Sequence, residues 1–211
     1  MKKYLVIGII GAFLASCGGG EKQESKTPEQ KVEEVCTYTY NDESSEIRWT
    51  AYKHTAKNPV GGQFEGYSTT IGTPSATSVV DILSSMEMIV DVSSINTKDT
   101  SRDRKIVTFF FDIMSNTGTI EGKVLSATAT GGVLAMKMNG VEQEVDFTYV
   151  VSEENKLELK TTIDVLNFQA DEALASLNNA CEEKHTGGDG KSVLWSEVAI
   201  YITTELGKEC K

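Results

Sequence analysis

Side chains that could perform catalysis or bind a metal are few in this sequence. The only two histidines are His54 and His185, and no nucleophile elbow, H-E-x-x-H motif or phosphate loop is present. Cys181 lies four residues before His185, a spacing that could place both on one helical face as half of a metal site. Zinc generally takes three or four ligands, so we interpret the pair as chance spacing. We therefore predict no catalytic residue, no metal and no cofactor.

One cysteine near the N-terminus has a context suited to covalent lipidation. Two lysines at positions 2 and 3 precede an uncharged segment, residues 4–15, which suits a signal peptide and is shorter than the roughly 20 residues of a membrane span. The next residues, L-A-S-C at 14–17, resemble the bacterial lipobox, whose cysteine receives a diacylglyceryl group and usually an amine-linked acyl chain such as palmitate. We expect a signal peptide at 1–16, a membrane anchor at Cys17 and a location in the bacterial cell envelope, facing the periplasm or the exterior. The alternative is an ordinary secretory cleavage site.

Composition bears on both the ligand and the domain organisation. The chain has 31 acidic and 20 basic residues and a net charge of -11, so it repels the phosphate backbone of a nucleic acid. Residues 17–35 include three consecutive glycines and no aromatic residue, which predicts a lipidated flexible tether. The remaining residues, 36–211, are predicted to form one domain.

Alternation of apolar and polar residues predicts that this domain is mostly β. Met86, Met88 and Val90 alternate with polar residues, and the same period recurs in about eight segments. The clearest are 47–51, 86–92, 134–138, 145–151, 157–163 and 198–202. Because open sheet edges invite aggregation, strands with one apolar face either close into a barrel or stack as two sheets. Both arrangements fit this pattern.

Turn and helix signals complete the predicted elements. Asn139-Gly140 is the strongest hairpin signal, because both residues tolerate the positive φ angles of a type I′ turn. An apolar stripe with helical spacing predicts one amphipathic helix against the sheet. Its members are Ala170, Ala173, Leu174, Leu177 and Cys181. A shorter helical turn is expected at 100–108.

Short motifs along residues 38–206 resemble those of the YceI-like family. In order they are S-E-I-R-W at 45–49, K-H at 53–54, V-G-G-Q-F at 60–64, S-I-N-T at 94–97, R-D at 102–103, F-F-D at 110–112, G-V-L-A-M-K-M-N-G-V at 132–141 and the segment 197–205. The resemblance implies a lipocalin-like barrel whose elongated apolar interior binds long isoprenoid chains, including polyprenyl and quinone-type lipids, without catalysis. The expected fold is therefore all-β, an eight-stranded antiparallel lipocalin-like barrel with one or two short helices. The helix at 170–181 departs from the simplest members and could narrow or plug the barrel.

Eight inward-facing side chains are predicted to line a ligand cavity. They are Trp49, Phe64, Met86, Met88, Val90, Met136, Phe147 and Ile200. Methionine adapts to irregular apolar space, but an eight-stranded barrel can equally be filled by its own side chains. The residues alone favour a filled core, whereas the family resemblance favours a cavity.

The function we expect is an envelope lipoprotein whose barrel binds a long isoprenoid or similar apolar lipid, as a carrier, store or sensor. The main alternative is a structural or interaction lipoprotein with a fully packed barrel and no ligand. A third possibility, a hydrolase of envelope lipids, would need titratable side chains in the cavity, and the predicted lining contains none.

Three cysteines remain after Cys17, in a compartment where one disulfide and one buried thiol are expected. The first strand of an even-stranded, up-and-down barrel begins beside the end of the last strand. We therefore expect Cys36 to pair with Cys210 across this seam, while Cys181 stays reduced on its helix. The alternative pair is Cys181 with Cys210.

A cluster of basic residues follows the S-I-N-T motif at 94–97. Arg102, Arg104 and Lys105 could bind a diphosphate headgroup at the mouth of the barrel. Asp99 and Asp103 are close in sequence and could neutralise them. Of the two interpretations, we favour a solvated surface turn with internal ion pairs.

Overall fold

The computed structural model describes residues 34–115 and 118–211, so the predicted signal peptide, Cys17 and most of the tether lie outside the described residues. The strands are β1 Cys36–Thr39, β2 Glu46–Lys53, β3 Asn58–Phe64, β4 Tyr67–Ile71, β5 Ser75–Ala76, β6 Met86–Asp91, β7 Ile95–Asn96, β8 Thr119–Ala127, β9 Gly131–Met138, β10 Val141–Val151, β11 Lys156–Asp164, β12 Leu194–Glu205 and β13 Gly207–Cys210. The described residues form four short α-helices where one or two were expected: α1 Val79–Leu83, α2 Thr100–Phe109, α3 Asp171–Ala180 and α4 Glu182–His185. Within this part of the chain, none of the helices has the length and apolar character needed to cross a membrane.

Ten of these strands form one antiparallel sheet, in the order β4-β6-β8-β9-β10-β11-β12-β2-β3-β7. Its side chains alternate with the predicted period. In β6, for example, Met86, Met88 and Val90 are buried, while Glu87 and Ile89 are exposed. The buried face of the sheet provides most of the hydrophobic core, so the predicted mostly β, antiparallel fold is confirmed.

The main sheet curls because the strand pairs at its two edges, β4–β6 and β3–β7, are formed by the same two segments of the chain. β3 and β4 are separated only by Glu65 and Gly66, and β6 and β7 only by the 3₁₀ turn Val92–Ser94. Across this junction, the Glu65 N–H donates to Ser94 O at 3.2 Å and the Asp91 N–H donates to Gly66 O at 2.8 Å. The β4–β6 pairing therefore continues into the β3–β7 pairing. Because both segments are interrupted here, the sheet has ten strands where eight were expected.

Local signals in the sequence specify a hairpin and two helices. Asn139 and Gly140 join β9 to β10 with φ angles of 55° and 72°, as a type I′ turn requires. Asp99 begins α2, because its side chain accepts the backbone N–H groups of Ser101 and Arg102, each at 3.1 Å. The predicted amphipathic helix is α3, whose buried residue is Ala173.

A small second sheet, in the order β13-β1-β5, carries the disulfide. Cys36 and Cys210 are opposite each other in the β1–β13 pair and are joined by a disulfide, with their Cα atoms 4.0 Å apart. Cys181 is free. The linked pair is the one that the sequence favours, but it does not close the seam of the main sheet. That seam is the hydrogen-bonded ladder between β2 and β12. The disulfide instead joins β1 to β13, the first and last strands of the domain.

Candidate ligand-binding cavity

The curled sheet and the helices beside it border two adjoining, partly open cavities, with volumes of about 160 Å³ and 90 Å³. Both are lined by Trp49, Phe64, Ile120 and Ile200, so these four side chains stand where the cavities meet. The smaller cavity lies among the strands, and the larger one extends from the junction to the helices. The interior therefore has two chambers that share four large apolar side chains.

Most of the side chains predicted to line a cavity do so. Trp49, Phe64 and Ile200 line both chambers, and the smaller chamber is also lined by Met86, Met88, Val90 and Met136. Phe147 lines neither chamber, although it is buried with 3% of its surface exposed. A Cβ on Gly132 of the neighbouring strand would lie 2.8 Å from Phe147 Cζ, so this ring fills the space that the glycine leaves open. Phe147 is thus a core residue.

A helical wall of the larger chamber is missing from the predicted lining. It consists of apolar side chains from α2, α3 and the segments around them: Ile106, Phe110, Phe111, Val165, Leu174 and Leu177. The alternation of strands says nothing about these positions. The stripe of α3 was a usable signal, because an amphipathic helix packed on a curled sheet must turn its apolar face to the interior.

Trp49 is held at the junction by shape. A Cβ on Gly62 of β3 would lie 2.6 Å from Trp49 Cζ2 and 2.9 Å from Cε2, so only glycine leaves room for the indole here. Trp49 Nε1 is, among the described residues, the one buried side-chain nitrogen or oxygen without a hydrogen-bond partner. An unpaired buried donor costs about 1–3 kcal/mol. The orientation of the ring is therefore set by close packing and not by a polar contact.

His185 and Cys181 both line the larger chamber. His185 Nδ1 donates to Asn178 Oδ1 at 2.9 Å, and this oxygen also accepts from Ser192 Oγ at 3.1 Å. The histidine is thus fixed as the tautomer with its proton on Nδ1. Residues 34–115 and 118–211 contain no group of three or more His, Cys, Asp or Glu side chains that could hold a metal ion.

Positively charged side chains border the helical end of the larger chamber. They are Lys53 at the end of β2, and Arg102 and Lys105 on α2. The influence of the two lysines is visible at His185, which is 9% exposed. The pKa of His185 is lowered from 6.5 to about 4, mainly by burial of the ring. The charges of Lys53, His54 and Lys105 add to this effect.

The basic cluster, which we expected in a solvated surface turn, lies on α2. Two of its three members line the larger chamber and one does not. Arg102 pairs with Asp99 at 3.6 Å, as the surface interpretation expects, and Arg104 is exposed and does not line the chamber. Lys105 instead reaches α3, where its Nζ donates to Ala180 O at 3.2 Å. Arg102 and Lys105 also line the chamber, because residues three apart on a helix share a face.

A curled antiparallel sheet around an apolar cavity fits a lipocalin-like fold. The model of the YceI-like domain matches residues 38–206, and the chain therefore belongs to the YceI-like family, as its motifs predict. A comparison with curated proteins gave no match.

Two solved structures illustrate the fold. A polyisoprenoid binding domain from Saccharophagus degradans is 14% identical and has a TM-score of 0.57, with 82% of this chain and 98% of that chain covered. BcnA from Burkholderia cenocepacia is 15% identical and has a TM-score of 0.55, with 81% and 99% covered. At these identities, the likeness concerns the fold.

Proposed function

We propose that this protein binds the hydrocarbon tail of a long apolar lipid, of the isoprenoid or quinone type, and releases it unchanged. The observation that carries the proposal is the two-chambered interior, because a core filled by its own side chains would not leave 160 Å³ and 90 Å³ open. Membership of the YceI-like family and the fold shared with a polyisoprenoid binding domain support the same ligand class.

The size of the chambers sets a scale for the ligand. A water-sized group needs about 10–15 Å³ of such space, so the larger chamber holds roughly a dozen groups of this size. Each methylene removed from water contributes about 0.8 kcal/mol. Ten of them supply about 8 kcal/mol, which lies within the roughly 4–15 kcal/mol that association costs. A tail that also passes Trp49 into the second chamber would add to this.

The architecture that we propose for binding is a closed barrel of eight strands. If β3 with β4, and β6 with β7, are each counted as one bent strand, the main sheet consists of eight strands that follow one another around the interior. The glycine-containing break at Glu65 and Gly66 supports this view, because a Cβ on Gly66 would lie 2.9 Å from Ser94 Cβ on the facing segment.

We further propose that the domain is held at a bacterial membrane by a lipid on Cys17. The support is the sequence alone, that is, the lysines, the apolar segment and the L-A-S-C motif at 14–17. Replacing Cys17 with Ser should leave an unprocessed precursor or a soluble protein. A variant that is still processed and still sediments with membranes would contradict the anchor.

The experiment that tests lipid binding is native mass spectrometry of the protein purified from its own membranes, with two matched variants. Met136→Trp puts a large side chain into the smaller chamber, whereas Lys137→Trp puts it on the outer face of the same strand. We expect lipid on the wild type and on Lys137→Trp, and its loss from Met136→Trp with the fold intact. A wild type that is always empty, and takes up no polyprenyl or quinone lipid, would favour the structural alternative.

A further inference from the structure

The helical wall of the larger chamber carries two reactive side chains that the predicted lining lacks. Cys181 and His185 both line this chamber, and the Cys181 thiol is free and partly exposed. The backbone N–H of His185 donates to Cys181 O at 2.9 Å, so the two residues are one helical turn apart. Side chains at this spacing share a helical face, with Cβ atoms about 5–6 Å apart. Residues 181–185, here called the reactive turn, therefore present a thiol and an imidazole to the same apolar space.

His185 is held in the form that a general base needs. Its Nδ1 proton is donated to Asn178 Oδ1 at 2.9 Å, which leaves the lone pair on Nε2, at the opposite edge of the ring. Among the described residues, Nε2 has no hydrogen-bond partner, although the side chain is only 9% exposed. With a pKa of about 4, the imidazole is neutral at pH 7. The structure thus provides a buried, unpaired proton acceptor one turn from a thiol.

Positive charge lies at both ends of the reactive turn. Lys105 Nζ donates to Ala180 O at 3.2 Å, and Lys53 Nζ donates to Lys184 O at 2.9 Å. Among the described residues, neither lysine forms a salt bridge with a carboxylate. Fixed donors and cations stabilise the negative charge that develops on a carbonyl oxygen when a nucleophile attacks the carbonyl carbon. The turn therefore combines a nucleophile, a base and a source of oxyanion stabilisation.

We infer that Cys181 is the nucleophile of an acyl-transfer site, with His185 as its general base and Asn178 as the residue that orients the imidazole. The substrate class is an ester whose hydrocarbon chain occupies the apolar chamber. Cysteine, histidine and asparagine in these three roles recur on unrelated folds, where geometry and not sequence position identifies them. The inference rests on the proposed function for binding of the chain, and goes beyond it in assigning a reaction to the chamber wall.

The reaction has two steps. In the first, Cys181 Sγ attacks the ester carbonyl carbon while His185 Nε2 takes the thiol proton, directly after a χ1 rotation of Cys181 or through one water. The C–O bond to the alcohol breaks, the imidazolium returns its proton to the leaving oxygen, and an acyl thioester remains on Cys181. In the second, Nε2 takes a proton from water as the water attacks the thioester. The C–S bond breaks, the thiol regains this proton and a carboxylic acid leaves, so one ester and one water are consumed.

The test follows the release of 4-nitrophenol from 4-nitrophenyl octanoate and 4-nitrophenyl acetate by the full-length protein. We expect a burst of 4-nitrophenol, and peptide mapping by mass spectrometry should locate the octanoyl group on Cys181. The two probes have the same leaving group, and only the octanoyl chain is long enough to fill part of the chamber. Since buried methylenes contribute binding energy, kcat/KM should be at least about tenfold higher for the octanoate.

Variants assign the three roles. Cys181→Ala should lose both the burst and the acyl group. His185→Asn should slow acylation by about 100-fold or more, the usual contribution of a general base, whereas His54→Asn, which removes the other histidine, should not. Asn178→Leu should lower kcat and leave KM unchanged, and Asn178→Asp, which keeps the acceptor oxygen, should restore kcat.

The outcomes separate this inference from the proposed function. A protein that binds lipid but is never acylated at Cys181, or an unchanged burst in Cys181→Ala, would overturn the inference and leave the proposed function intact. Acylation of Cys181 with equal kcat/KM for the two esters would support the nucleophile and contradict binding of the chain in the chamber.

Discussion

Acidification is expected to destabilise this protein through His185. The folded state holds the pKa of this histidine at about 4, against 6.5 for an unperturbed histidine. As the pH falls through 6.5, the unfolded chain takes up a proton that the folded protein does not. Stability that is fully present above pH 6.5 is therefore lost between pH 6.5 and pH 4, and the loss levels off below pH 4.

The size of the effect follows from the same two values. A pKa difference of one unit corresponds to 1.36 kcal/mol, so a fall from 6.5 to about 4 gives about 3 kcal/mol of unfolding free energy as an upper figure. His185 retains 9% exposure, and local opening would let it be protonated at smaller cost. We therefore expect a loss of about 2–3 kcal/mol.

The assay is urea denaturation from pH 7.5 to pH 4, on the wild type and on His185→Asn. Asparagine can keep the hydrogen bond to Asn178 Oδ1, but it does not titrate, so other groups cancel in the comparison. We expect the wild type to lose about 2–3 kcal/mol more than the variant over this range. Parallel pH profiles of the two proteins would refute the reasoning.

Two further perturbations test the junction and the disulfide. Gly62→Ala should displace the Trp49 indole, which should cost about 1–3 kcal/mol of stability and weaken lipid binding. Gly61→Ala, whose Cβ would lie 3.3 Å from Trp49 O, should have a smaller effect on both. Equal effects of the two variants would contradict the role of Gly62. The Cys36–Cys210 bond joins residues 174 positions apart, for which chain entropy gives about 5 kcal/mol. A Cys36→Ser and Cys210→Ser double variant should lose up to that amount in thermal or urea denaturation, and dithiothreitol should then have no further effect on it; an unchanged unfolding midpoint would contradict this estimate.

Local patterns in the sequence determined the strands, the hairpin and the amphipathic helix. Alternation at Met86, Met88 and Val90 is enough to choose which face of a strand is buried, because the side-chain period of a strand is two. Asn139-Gly140 specifies its turn because few residue pairs accept two positive φ angles. Each of these signals acts within a few residues of the chain, and so it can be read without the tertiary structure.

Only the tertiary structure decided where the interior is open and where it is filled. Phe147 and Met136 have the same alternation and similar burial, yet Met136 borders a cavity and Phe147 packs into the gap at Gly132. That Lys53 and Lys105 border the same chamber is likewise set by how β2 and α2 pack around it. Such contacts depend on the curvature of the sheet and on differences in side-chain volume of a few atoms, and neither leaves a periodic trace in the sequence.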